Sequence, residues 1–235
     1  MAAYGQNAAS ITSLQPEISK ILQSNIDKYN PSNIHIMEDY VEAQAREGHY
    51  DLEANLLLLK LYQLNPGGSY SAARASYVAK VLLMGLMQLP RNDFQICKAL
   101  TEPELTRVLR IQDVMRLETS LETCQFDFFW NDLDRCRDTV AGVEGFDTAI
   151  RNYICSVIGM TNQTIKERQL IGYLGPGLPY EKFKRLVEEK GWRIQGDKTD
   201  RSIFIKDQTM TIKPRKITEA IDFADVATIL SAAAQ

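Results

Sequence analysis

The chain has 235 residues, of which 45% are apolar and 24% charged, and a formal net charge of -3. A chain of that size buries roughly 70–75% of its unfolded surface, which excludes wholesale disorder and a core that depends on metal or disulfide support. The overall balance also excludes a global attraction to nucleic acid or to an anionic membrane. It hides an asymmetry, however: from Thr161 onward there are 13 Lys+Arg against 10 Asp+Glu, and before it 14 against 20. Two regions with different surfaces are expected.

Residues 1–13 carry little apolar periodicity and read as a loose N-terminal arm. From 14 to 160 the pattern is that of successive helices. Leu14, Ile18, Ile21, Leu22 and Ile26 keep helical spacing up to Tyr29-Asn30-Pro31. Ser32 or Asn33 is placed to cap a second helix through Glu47, with Ile34, Met37, Val41 and Ala45 on one face and Gly48 as its stop. Asp51 is placed to cap a third, which Asn65-Pro66-Gly67-Gly68 ends. Its leucines cover so much of the circumference that it must pack between other helices. Further helices are expected over 71–89, 91–100, 102–117, 121–130, 132–140 and 146–160. Phe126, Phe128, Phe129 and Trp130 give this stretch a bulky aromatic cluster. Helical hairpins with short connections are the requirement for an α-solenoid, although no fixed-period repeat is visible.

After Thr161 the pattern changes. Ile165–Leu174 and Tyr180–Lys190 read as two helices around the turn Gly175-Pro176-Gly177. Trp192–Ile194 and Ser202–Lys206 then alternate like strands around a polar turn. Helix, turn, helix and hairpin is the order of a winged helix, assigned to 161–222. A C-terminal helix over 223–235 carries Phe223, Val226, Ala227 and Leu230 on one stripe. The fold expected is therefore mainly α: a helical-repeat domain followed by a winged-helix domain.

Catalytic chemistry finds little purchase. His35 and His49 are the only histidines and neither sits in a motif. No metalloprotease, nucleophile-elbow or P-loop pattern occurs. Gly172, Gly175 and Gly177 are spaced G-x-x-G-x-G with no preceding strand, which does not build a pyrophosphate cradle. Cys97, Cys124, Cys136 and Cys155 lack the paired short spacing of a zinc site and read as free thiols in a reducing compartment. Glu188-Glu189 and Glu38, Asp39 and Glu42 read as solvated helical faces. No metal or cofactor is expected. The longest aliphatic run, Leu56–Leu59, is far short of the ~20 residues of a membrane span, and residues 1–10 have no basic, apolar leader. A cytoplasmic chain, with the nucleus as a second compartment, is expected.

Several blocks carry a resemblance: Lys28-Tyr29-Asn30-Pro31-Ser32-Asn33, Tyr40-Val41-Glu42-Ala43-Gln44-Ala45, Tyr50-Asp51-Leu52-Glu53-Ala54-Asn55-Leu56, and Leu59-Lys60-Leu61-Tyr62-Gln63. Leu121-Glu122-Thr123-Cys124, Phe129-Trp130, Lys190-Gly191-Trp192 and Ile221-Asp222-Phe223 follow in order. Over about Asn25 to Ser231 the chain resembles the subunit k family of eukaryotic translation initiation factor three. The first dozen residues and Gly67–Arg74 depart from the pattern. The resemblance implies a HEAT-like helical domain joined to a PCI-like winged helix, related to scaffold subunits of the proteasome lid and the signalosome. It implies a non-catalytic member of a complex on the small ribosomal subunit, with subunit l as its nearest neighbour.

Three functions are weighed. Assembly would use the solenoid surface, an edge strand at Ile203–Lys206 (with Ile203 and Ile205) that extends a partner's sheet, and the Val226/Leu230 stripe. That stripe fits equally a helix packed on its own winged helix. RNA contact would use Lys182, Lys184, Arg185, Arg193, Lys198, Arg201 and Lys206, since 179–216 holds eleven Lys+Arg against six acids, but Glu181, Glu188 and Glu189 share the helix. An enzyme with a scattered site is the third.

Overall fold

The computed structural model describes residues 10–66, 72–196, 201–207 and 226. They form a mainly helical molecule with one small three-stranded sheet. The helices in chain order are α1 (Ile11–Gln23), α2 (Ile34–Glu47), α3 (Leu52–Leu64), α4 (Ala72–Leu86), α5 (Asp93–Ala99), α6 (Leu109–Glu122), α7 (Phe126–Arg135), α8 (Arg137–Val140) and α9 (Phe146–Thr161). Strand β1 (Thr164–Lys166), helices α10 (Glu167–Leu174) and α11 (Tyr180–Glu189), and strands β2 (Arg193–Gln195) and β3 (Ser202–Phe204) complete it.

Ile11–Ser13, expected in the N-terminal arm, belong to α1, and residues 1–9 of that arm lie outside the described residues. Ser10 makes no side-chain cap. The Ile11 amide instead donates to both carboxylate oxygens of Glu47, each at 3.4 Å, at the far end of α2. Ile26 also departs from expectation. The chain leaves helical geometry at Ser24 and makes a 3₁₀ turn over Asp27–Tyr29, so Ile26 falls off the stripe and is 84% exposed. Neither Ser32 nor Asn33 caps α2 with its side chain. Asn30 does the local work, accepting the Ser32 amide at 3.0 Å.

Gly48 at φ +66 closes α2, with the His49 amide donating to Gln44 O. Asp51 caps α3 as expected, its carboxylate accepting the Ala54 amide at 3.1 Å. Between α2 and α3 a fully buried pair of amides is satisfied reciprocally. Gln44 Nε2 donates to Asn55 Oδ1 at 3.0 Å, and Gln44 Oε1 accepts from Asn55 Nδ2 at 3.3 Å and the Asp51 amide at 2.8 Å. Buried polar groups are tolerated on that condition.

The expected break points in the middle of the chain shift. Leu105–Arg107 is a 3₁₀ turn, and extended Val108 separates it from α6, which runs on to Glu122. The helix then closes through Cys124 at φ +56, with Gln125 N donating to Ser120 O and Cys124 N to Leu121 O. That is the Schellman closure normally made by glycine, so no glycine marks it in the sequence. Helix α7 runs through the break expected after Trp130. Phe126, Phe129 and Trp130 face the core, while Phe128 is 64% exposed.

Two corrections concern the C-terminal part. Residues 164–166, expected to begin a helix at Ile165, form strand β1 instead. The sheet order is β1-β3-β2, both pairings antiparallel, with Ile165 and Ile194 each opposite Ile203. The segment expected as an edge strand, Ile203–Lys206, therefore begins in the central strand. Ile203 is wholly buried and Ile205 nearly so. Among the described residues the edges are β1 and β2.

This part is fastened to the helical body by a seam around Trp130. Trp130 Nε1 donates to Tyr173 O at 2.8 Å, Arg151 Nε donates to Leu174 O at 3.0 Å, and Phe126 meets Tyr173 edge-on at 5.7 Å. The backbone of Gly175 lies against the indole. At φ +84 and ψ 163 it occupies a region open almost only to glycine, and a Cβ there would sit 2.3 Å from Trp130.

Candidate functional site

The groups capable of chemistry are dispersed. His35 and His49 are both exposed and far apart in the sequence. Among the described residues no group of three His, Cys, Asp or Glu side chains is arranged to hold a metal. Cys97, Cys136 and Cys155 are buried, and burial pushes their thiols up to about 12, about 11 and about 11 respectively, the reverse of an activated nucleophile. Cys124 is exposed.

Several acidic groups of the helical body are engaged. Glu38 accepts from Tyr62 OH at 2.6 Å, and Glu42 pairs with Lys80. Glu118, almost wholly buried, accepts from Gln95 at 2.7 Å and from Lys98 at 3.3 Å. Burial, reinforced by neighbouring Glu122, raises its carboxyl above the ordinary range. Arg74 lies over the Tyr62 ring and 3.5 Å from the carboxylate of Glu102, and both are buried. These contacts link α2, α3, α4, α5 and α6 to one another. No described helix is long and apolar enough to cross a membrane.

The basic residues singled out in the sequence do not form one patch. Arg201 is consumed internally: its Nη1 donates to Tyr180 OH at 2.7 Å and lies 3.8 Å from Glu167. Lys184 rests over the Tyr180 ring at 5.4 Å. Arg193 is exposed on β2, and Lys206 is exposed beyond the end of β3. Val226 is helical and half-buried. Lys198 and Leu230 lie outside the described residues. Lys182 and Arg185 do come together, on the side of α11 that faces α9, in a groove of about 260 Å³. The third cation of that groove is Arg151, from α9. Sequence reasoning missed it because it counted charge only within 179–216. Arg151 follows the apolar Ile150, and nothing in its neighbours marks where its guanidinium ends up.

The profile of the CSN8/PSMD8/EIF3K family matches residues 72–216, from the start of α4 to beyond the sheet. The chain belongs to this family. Its similarity to curated relatives of the family extends over the first three helices as well. The chain is 42% identical over 216 residues to eukaryotic translation initiation factor 3 subunit K of Nematostella vectensis, covering 92% of this chain and 96% of that protein. It is 38% identical over 224 residues to the protein of the same name from Danio rerio, covering 95% and 98%. To that of Homo sapiens it is 38% identical over 218 residues, covering 93% and 96%. Each of these relatives is named as a subunit of a translation initiation factor.

Proposed function

We propose that this chain is the K subunit of eukaryotic translation initiation factor 3, a non-catalytic component that acts by protein–protein assembly during formation of the initiation complex on the small ribosomal subunit. The observation that carries this is identity of 38–42% along at least 92% of the chain to proteins bearing that name. Helices α1 to α9 act as a HEAT-like repeat domain, over about 14–160 with its start extended to Ile11. Residues 161–222 act as a PCI-like winged helix, with a helix over 223–235 beyond it. The work is cytoplasmic, the nucleus being a second compartment.

In this reading the surface that extends a partner's sheet is β2. Among the described residues it is an outer strand, its three residues all exposed, with Ile194 38% accessible although it points to the same face as buried Ile203. An unpaired edge with an accessible apolar side chain is a template for strand addition. Subunit L is the partner expected there. RNA contact is subordinate, since Arg201 and Lys184 are already engaged within the chain.

The test is purification of the tagged chain from its own cells through a salt series, with mass spectrometry of what co-elutes. Stoichiometric recovery of initiation factor 3 subunits, subunit L persisting to the highest salt, is the expected result. Recovery of a proteasome-lid or signalosome set would overturn the function. RNA retention that falls steeply with salt would move the weight to nucleic acid.

A further inference from the structure

Among the described residues, the groove between α9 and α11 is lined by three cations, Arg151, Lys182 and Arg185, and one carboxylate, Glu189. Lys182, Arg185, Leu186 and Glu189 recur at three- and four-residue spacing and so share one face of α11. Leu178, in the turn before the helix, and Leu186 are half-buried and form an apolar floor. Lys182 and Arg185 form no ion pair with any described residue. Arg151, reaching in from α9, is only 15% exposed at its side chain. Its Nε is committed to Leu174 O and its plane rests 5.0 Å over Trp130. The nearest carboxylate oxygen, on Asp147, is 4.0 Å from Nη2, and both oxygens of Asp147 already accept from Arg137 at 3.1 Å. Burial lowers the pKa of Arg151, and the positive charge of Arg137 adds to the effect against the pull of Asp147. A buried cation with so weak a counter-charge is costly. An anion beside Lys182 and Arg185 would relieve it.

The geometry points to this groove as the docking site of an acidic–apolar segment of a partner protein, an Asp or Glu side chain seated between Arg151, Lys182 and Arg185 and a neighbouring apolar side chain on Leu178 and Leu186. Charge complementarity names the acid. The leucines and Glu189 favour peptide over nucleic acid: among the described residues no aromatic ring lines the groove for a base to stack on, and Glu189 at one end repels a phosphate backbone while it can accept a peptide donor. This inference rests on the assembly function proposed above and adds the chemistry of one contact.

A carbodiimide, which joins an amine to a carboxylate only when the two touch, tests it on the intact complex purified through the tagged chain. The expected result is an amide between Lys182 and an Asp or Glu of another subunit. Its yield should drop several-fold in Arg185→Glu, and it should vanish in Lys182→Arg, which removes the amine and keeps the charge. Three results would overturn the inference while leaving subunit function intact: no link at Lys182 while other lysines of the chain link to other subunits, links from Lys182 only within its own chain, or a yield indifferent to Arg185→Glu. Ultraviolet cross-linking of RNA to the α11 peptide would overturn it in favour of nucleic acid. A chain that purifies alone would instead remove the function on which the inference stands.

Discussion

The helical body from α2 to α6 and the seam from α9 to α11 treat polar groups in opposite ways. In the body, the buried amides of Gln44 and Asn55 satisfy each other, Tyr62 donates to Glu38, and Glu118 holds both Gln95 and Lys98. In the seam, Trp130 and Gly175 fit tightly, yet Arg151, Lys182 and Arg185 gather around a groove with few counter-charges. Where polarity is spent on cohesion, little is left to recognise a partner. Where cations gather beside an apolar floor with few counter-charges among the described residues, the surface is prepared for one.

The comparison breaks hardest at the indole. Trp130→Ala is expected to cost about 3–5 kcal/mol in denaturant unfolding. Gly175→Ala should also destabilise, by the contact with Trp130 and by about 1–3 kcal/mol of backbone strain. In the Trp130→Ala background only the strain should remain, so the two costs should not add. Strict additivity would mean that the seam does not depend on this fit. In the body, Gln44→Leu orphans Asn55 and the Asp51 amide and should cost about 1–3 kcal/mol per group left unpaired. The double change with Asn55→Leu should recover part of the loss, and no recovery would refute the reciprocal pair.

Smaller effects sharpen the contrast. Asp51→Ala should cost about 1 kcal/mol by removing the α3 cap, measured by chemical denaturation; an unchanged midpoint would point to another cap. Lys182→Glu with Arg185→Glu should leave the melting temperature nearly unmoved while weakening retention in the complex as salt rises. A large drop in melting temperature would show that these cations serve cohesion after all. Thiol titration with a chromogenic disulfide at pH 8 should find Cys124 reacting quickly in the native chain and the other three only after unfolding. Because burial raises those three thiols in the folded state alone, the unfolded chain ionises first as the pH climbs past about 9, and stability should fall there.

Much of the body was legible because its determinants are local. The stripe of Met37, Val41 and Ala45, the Asp51 cap and the Gly48 stop follow from spacing within a few residues. The errors share a different cause. Cys124 closes α6 in a conformation that sequence assigns to glycine. Ile11 is capped by a carboxylate from the end of another helix. Both depend on what the rest of the fold brings near.

The sequence by itself determined the helical class, most of the apolar faces and, through its ordered blocks, the family. Only the tertiary structure decided that Ile203 lies in the middle of the sheet rather than at its edge, that β2 is an outer strand among the described residues, and that Arg151 joins Lys182 and Arg185. The physical reason is range. Helical periodicity and capping are encoded by neighbours three or four residues apart, whereas strand order and the meeting of side chains from α9 and α11 are set by the path of the chain between them, which leaves no periodic mark on the residues it brings together.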